Sequence, residues 1–208
     1  MELFENDEFV PVQQEGKALD LEHSLSTGTV AEAKALYQAA CQHLLHPGNW
    51  HLLAGNGTAE FNLYTKAHDA AGEIAVNDHL YIDIPLGGLL VAEEHDWVKV
   101  ENIAQNVVPQ ADESMGITLR SCCNPLHPQE GTSHFFTGSA TSTLVVKRTG
   151  NIVTAVYHGR NEKPNTTTGN LLDNTRNALV AISAMAGLSR LQWEALLKGL
   201  LGDHNEKI

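Results

Sequence analysis

Two runs rich in β-branched and aromatic residues, Ser142 to Lys147 and Ile152 to His158, flank a short turn containing Thr149 and Gly150. No other feature restricts the fold as strongly, because such runs around a tight turn form a hairpin. With Thr149-Gly150 as a two-residue loop, Leu144, Val146, Val153, Ala155 and Tyr157 share one face. That face is apolar enough to belong to a core. The chain must therefore build antiparallel sheet and cover one side of it.

Shorter runs with the same alternation precede the hairpin. They lie near Ala59 to Lys66, at His79 to Ile84 before Pro85, at Trp97 to Ile103, and at Met115 to Ser121 before the Asn124-Pro125 turn. Helical spacing brackets them. From Val30 to about His46, residues Val30, Ala33, Leu36, Tyr37, Ala40, Cys41 and Leu44 form one stripe, with Thr29 as N-cap and Pro47-Gly48 as the stop.

Beyond the hairpin, Leu171, Leu172, Ala178, Leu179, Ile182, Met185 and Ala186 make a second stripe that begins at Asn170 and ends at Gly187. Ser189 and Gln192 then open a helix through Trp193, Leu196, Leu197 and Leu200 as a capping box. The expected architecture is α+β: an N-terminal helix, a curved antiparallel sheet of about six strands and a C-terminal helix pair. A helix-grip arrangement and a small barrel both satisfy that order.

With 208 residues, 42% of them hydrophobic, the chain can bury a core without disulfides or metals. Neither a repeat nor a low-complexity linker interrupts it, so residues 1–208 read as one domain. Residues 1–25 are acidic and weakly periodic, which predicts an N-terminal arm, mobile by composition, with Phe9, Val10 and Val12 expected to dock on this subunit or on a neighbour. Residues 1–119 carry 4 basic and 19 acidic side chains, and 120–208 carry 9 basic and 6 acidic. The net charge of −12 and the lack of a basic stripe argue against nucleic acid.

No apolar run approaches the ~20 residues that span a bilayer. Glu2, Glu5 and Asp7 stand where a secretory signal would be basic and then apolar. With three cysteines, two of them adjacent, free thiols in the cytoplasm are expected.

Three stretches carry a resemblance: Asp78 to Gly87 (DHLYIDIPLG), Asp96 to Glu101 (DWVKVE), and the run from His134 through Ala140 to Thr143 (ATST) to Tyr157 to Asn165 (YHGRNEKPN). Over roughly residues 50–200 the chain resembles a group of uncharacterised bacterial proteins. That resemblance implies neither an activity nor site residues.

Candidate chemistry is sparse. His43, His46 and His51 cluster, yet His43 and His46 fall off the buried stripe and no carboxylate stands at matching spacing. Cys122 and Cys123, near His127 and His134, are adjacent in a strand, where neighbouring side chains point to opposite faces and make a poor zinc site. A thiol and imidazole pair from Cys123, His127 and His158 would need a spatial approach that spacing does not specify. Gly87-Gly88 lacks the third glycine of a phosphate loop, and Glu93-Glu94 with Asp96 read as a solvated loop.

The segment Tyr157 to Thr168 holds the best candidates. It places His158, Arg160 and Glu162 just past a core strand and Asn170 at a helix N-terminus, where backbone N–H groups attract anions. The expected function is a ligand-binding or protein-interaction domain with His158, Arg160, Glu162 and Asn170 as ligand-binding residues. No catalytic residue, metal or cofactor is assigned. Expected partners are a small anionic ligand, another protein or a second copy of the chain. The alternative is a small hydrolase or isomerase with His158 as base and Arg160 as anion clamp.

Overall fold

A computed structural model describes residues 9–55, 58–64, 72–83, 95–107, 112–132, 135–165 and 190–203. Within them run strand β1 (Lys17–Ser26), helices α1 (Val30–Leu45) and α2 (Trp50–Ala54), then strands β2 (Glu60–Tyr64), β3 (His79–Asp83), β4 (Asp96–Val107), β5 (Asp112–Ser121), β6 (Thr141–Thr149) and β7 (Ile152–Glu162). A helix over 190–200, α3, follows. The other helix of the expected C-terminal pair, with Gly187 and Ser189, lies outside the described residues.

The strands form one curled antiparallel sheet in the order β1-β7-β6-β5-β4-β3-β2. Among the described residues β1 and β2 stand at its two edges and do not pair, so the sheet is a half-barrel rather than a closed barrel. It has seven strands instead of about six. The additional one is β1, from the stretch expected as a mobile arm, and it pairs with β7 from Leu19↔Gly159 to Ser26↔Ile152.

Local chemistry explains the elements. Thr29 caps α1 in a full capping box: its hydroxyl accepts from the Glu32 N–H at 3.2 Å, and the Thr29 N–H donates to the Glu32 carboxylate at 2.9 Å. The β6–β7 hairpin turns through Gly150 and Asn151, since Thr149 pairs with Ile152. Gly150 takes the positive φ of 59° that a primed turn requires at its first central position. The expected loop, Thr149-Gly150, would slip the register by two residues. A slip of two preserves the face, so Leu144, Val146, Val153, Ala155 and Tyr157 still share one buried side.

That inner face packs against Ala33, Tyr37, Ala40 and Leu44 of α1 and Trp193, Leu196, Leu197 and Leu200 of α3, forming one continuous core. Among the described residues no helix is long and apolar enough to cross a membrane.

Candidate functional site

Between the inner face of the sheet and α3 the packing leaves a hollow. Phe61, Ile82, Val98 and Leu119 form its sheet side, and Trp193 and Leu196 its helix side. Each strand contributes through the two-residue alternation that points every second side chain inward. The hollow is small, with a cavity volume of about 80 Å³, and it is open to solvent on one side. Trp193 stacks on Tyr157 with ring centres 4.4 Å apart and planes at 19°, and Phe61 stands between Trp193 and Trp50 at 5.7 and 5.0 Å. These rings make a rigid, largely apolar wall.

One part of its lining is polar. The Tyr157 hydroxyl lies 3.1 Å from the Ser142 hydroxyl and 3.4 Å from a Glu162 carboxylate oxygen. Burial pushes the Tyr157 phenol well above its ordinary range, so it stays protonated and can donate. Burial also raises the Glu162 carboxyl, against the opposing pull of the Tyr157 hydrogen bond and of Lys17 and Arg160.

Glu162 reaches this place because β7 is irregular. Lys17 pairs with Glu162 but Leu19 pairs with Gly159, so two residues of β7 oppose one of β1 in a β-bulge. Asn161 sits in it at φ 57°, a conformation that asparagine tolerates better than most residues. The bulge reverses the alternation and sends Glu162 to the side of Tyr157. Gly159 leaves the space: a Cβ there would come within 2.2 Å of a Glu162 carboxylate oxygen and 3.1 Å of the Tyr157 hydroxyl.

At the mouth, Phe135 and Phe136 come from the β5–β6 connection, held by the Phe136↔Pro164 bridge and the Asn165 N–H donating to the Phe135 carbonyl. The Phe135 N–H donates to Asp96 on β4. Burial nonetheless pushes the Asp96 carboxyl up to about 7.

The structure separates the expected site residues. His158 and Arg160 lie on the outer face of the sheet, opposite the hollow, and both bind Asp20 of β1: His158 Nδ1 at 2.5 Å and Arg160 Nη1 at 2.7 Å from its Oδ1. His158 is fully buried there. Burial raises the Asp20 carboxyl, but hydrogen bonds from His158 and Arg160 outweigh it and leave the net value below the ordinary one. A folded carboxyl with a depressed pKa contributes stability above its unfolded pKa and loses it as pH falls through the folded value. Asp20→Asn is therefore expected to lower the melting temperature at pH 7, with the gap to wild type closing as pH drops below about 4. Asp20 is half-exposed, so screening keeps the loss to about 1 kcal/mol, roughly 2–4 °C. Thermal melts across pH check this, and a gap independent of pH contradicts it.

Asn170, His134, Gly87, Gly88, Glu93 and Glu94 lie outside the described residues. His43 joins α1 to α3 through its Nδ1, 3.1 Å from the Leu200 carbonyl, and His46 Nδ1 lies 2.7 Å from the Gln42 carbonyl. Burial pushes the Cys41 thiol up to about 11 and the Cys122 thiol up to about 12, which makes both poor nucleophiles at neutral pH. His127 is exposed beside Glu130, at 3.7 Å, whereas His158 is buried at Asp20. Among the described residues no group of three or more His, Cys, Asp or Glu side chains could hold a metal.

No protein-family model matches the chain, and no curated protein matches it significantly. Solved structures do align along most of it. A protein from Thermus thermophilus aligns over 90% of this chain and 96% of its own at 11% identity and a TM-score of 0.44. An uncharacterized protein from Bacillus thuringiensis aligns over 89% and 99% at 14% identity and a TM-score of 0.38. Major latex-like protein 151 from Panax ginseng aligns over 88% and 99% at 11% identity and a TM-score of 0.39.

Proposed function

We propose that the chain is a ligand-binding domain whose inner hollow takes a neutral small molecule with an apolar body and one polar end. The carrying observation is a lining mostly of aromatic and aliphatic side chains in which Tyr157, Ser142 and Glu162 form one hydrogen-bonded polar cluster. An apolar site with a few convergent polar groups binds by burial and orients by hydrogen bonds. A hydroxyl or carbonyl on the ligand can accept from or donate to this cluster. The acidic Glu162 is a poor counterpart for an anion, and Arg160, expected to attract one, is engaged by Asp20 on the other face. The proposal therefore departs from an anionic ligand and uses neither His158 nor Arg160.

The neutral naphthyl ketone Prodan, titrated into the protein, tests it. Trp193 and Trp50 line the hollow, so binding should blue-shift Prodan emission and quench tryptophan emission at micromolar concentrations. Ser142→Phe, which places a benzyl group at the polar cluster, should weaken uptake by about tenfold or more, the equivalent of roughly 1.4 kcal/mol. Equal uptake by the variant, or none by the wild type, rejects the hollow as the site.

A further inference from the structure

Residues 9–16 run as a strap across the outer face of the sheet and end on the β7 bulge. Phe9 lies over Gly116 of β5, where a Cβ would come within 3.2 Å of its ring, and its carbonyl accepts from the Thr118 hydroxyl at 3.2 Å. Further along, one side chain holds the strap. The Asn161 amide oxygen accepts from the Gln14 N–H at 2.7 Å and the Glu15 N–H at 3.1 Å, and its amide nitrogen donates to the Val12 carbonyl at 3.1 Å. The Gln13 side chain answers by accepting from the Asn161 backbone N–H at 2.9 Å.

Gly16 closes the contact at φ 66°. A Cβ there would lie 2.6 Å from the Glu162 carbonyl carbon and 2.8 Å from the Lys163 nitrogen. The strap thus rests on the backbone of the residue whose side chain enters the hollow.

We propose that Asn161 is a positioning residue: by clamping the strap on the outer face with its side chain, it holds the bulge that aims the Glu162 carboxylate into the hollow on the inner face. A left-handed non-glycine residue carries a strain of order 1–3 kcal/mol that persists only where its surroundings hold it. Four hydrogen bonds to the strap supply that hold. Without them β7 can regain regular alternation, which would turn Glu162 to the outer side with His158 and Arg160. The strap then acts on the polar cluster of the hollow from across the sheet. Its effect on a ligand rests on the proposed binding function, whereas the positioning itself can be read with no ligand present.

The readout is the titration of the Glu162 side-chain carboxyl, followed by ¹³C NMR in the full chain and assigned by its loss in Glu162→Gln. The groups that act on Glu162 are Tyr157 on β7, Lys17 on β1 and, from the outer face, Arg160, with the uncharged Ser142 on β6 and Gln192 on α3 beside it. Neither test variant alters any of them. In the wild type the midpoint should lie above the ordinary range of glutamate. Asn161→Ala removes the clamp and leaves a non-glycine residue at the strained positive φ, and Gln13→Ala removes one exposed strap partner.

Removing the clamp should bring the midpoint down toward the ordinary glutamate range, and Gln13→Ala should bring it part of the way. Should Asn161→Ala not fold, Gln13→Ala, which removes one of the four bonds, carries the test through a smaller shift in the same direction. An unchanged midpoint in a folded variant, or a wild-type midpoint already in the ordinary range, overturns the proposal. A shifted midpoint in a protein that takes up no Prodan supports the positioning while rejecting the binding function.

Discussion

Replacing Glu113 by alanine should destabilise the chain by about 3 kcal/mol or more, the cost of leaving a buried charge without its partner. Arg148 is 2% exposed, on the inner face of β6 directly opposite Glu113 on β5. Its Nε donates to the Glu113 carboxylate at 2.5 Å, and its Nη1 to the Gly150 carbonyl at 2.9 Å in the hairpin turn. An arginine guanidinium keeps its charge in a folded protein. Glu113 is 22% exposed, and some water entry puts the loss toward the lower end of the ~3–5 kcal/mol seen for broken buried pairs.

Replacing both partners with apolar residues, as in Glu113→Leu with Arg148→Met, should recover most of that loss, since an apolar pair has no charge to leave stranded. Urea unfolding of the single and double variants decides it. A single-variant loss under about 1 kcal/mol would show that Arg148 finds water or another acceptor.

The hairpin and α1 were legible because their signals are local. Thr29 and Glu32 stand three residues apart, and the five apolar residues of the hairpin keep their shared face through a register slip of two. Strand β1 carried a readable signal as well. Leu19, Leu21 and Leu25 alternate with period two, but the acidic composition around them outweighed that alternation in the reading of an arm. Its real determinant is non-local: β7 lies alongside, with Asp20 opposite His158.

The site failed to be legible for a sharper reason. On a regular strand Glu162 must share a face with His158 and Arg160, so any reading by alternation groups the three. One residue at positive φ breaks the parity, and the only sequence hint is that Asn161 is of a type that tolerates it. Nothing in the neighbourhood of Asn161 announces that its partners come from residues 12–15, nearly 150 positions away. The hollow was equally hidden. Tyr157 and Trp193 read as core residues from their patterns, and both do pack in the core, yet they also wall the empty space.

Gly199→Ala should destabilise the fold, although helix propensity alone would make alanine better there by about 1 kcal/mol. The two expectations have opposite signs, so the measurement separates them. Gly199 lies on α3 against the end of α2, where a Cβ would stand 2.2 Å from the Leu53 carbonyl oxygen and 2.5 Å from its carbon. Those are backbone atoms with no rotamer to yield. To admit the methyl group, α3 must move away from α2 by about an ångström, as overpacked cores do.

Leu196, Leu197 and Leu200 are almost wholly buried on the same helix, and His43 is tied to the Leu200 carbonyl, so any shift loosens many contacts together. Overpacking of this kind costs about 1–3 kcal/mol, which for a chain of this size is a fall of roughly 2–4 °C per kcal/mol in melting temperature. The same movement separates Trp50 and Ala54 of α2 from Trp193 and Leu196 of α3, which face one another across the hollow. Prodan uptake should therefore weaken in parallel with stability. A Gly199→Ala protein that melts at or above the wild-type temperature would show that α3 does not rest on Leu53, and the close approach of α2 and α3 that helps define the hollow would go with it.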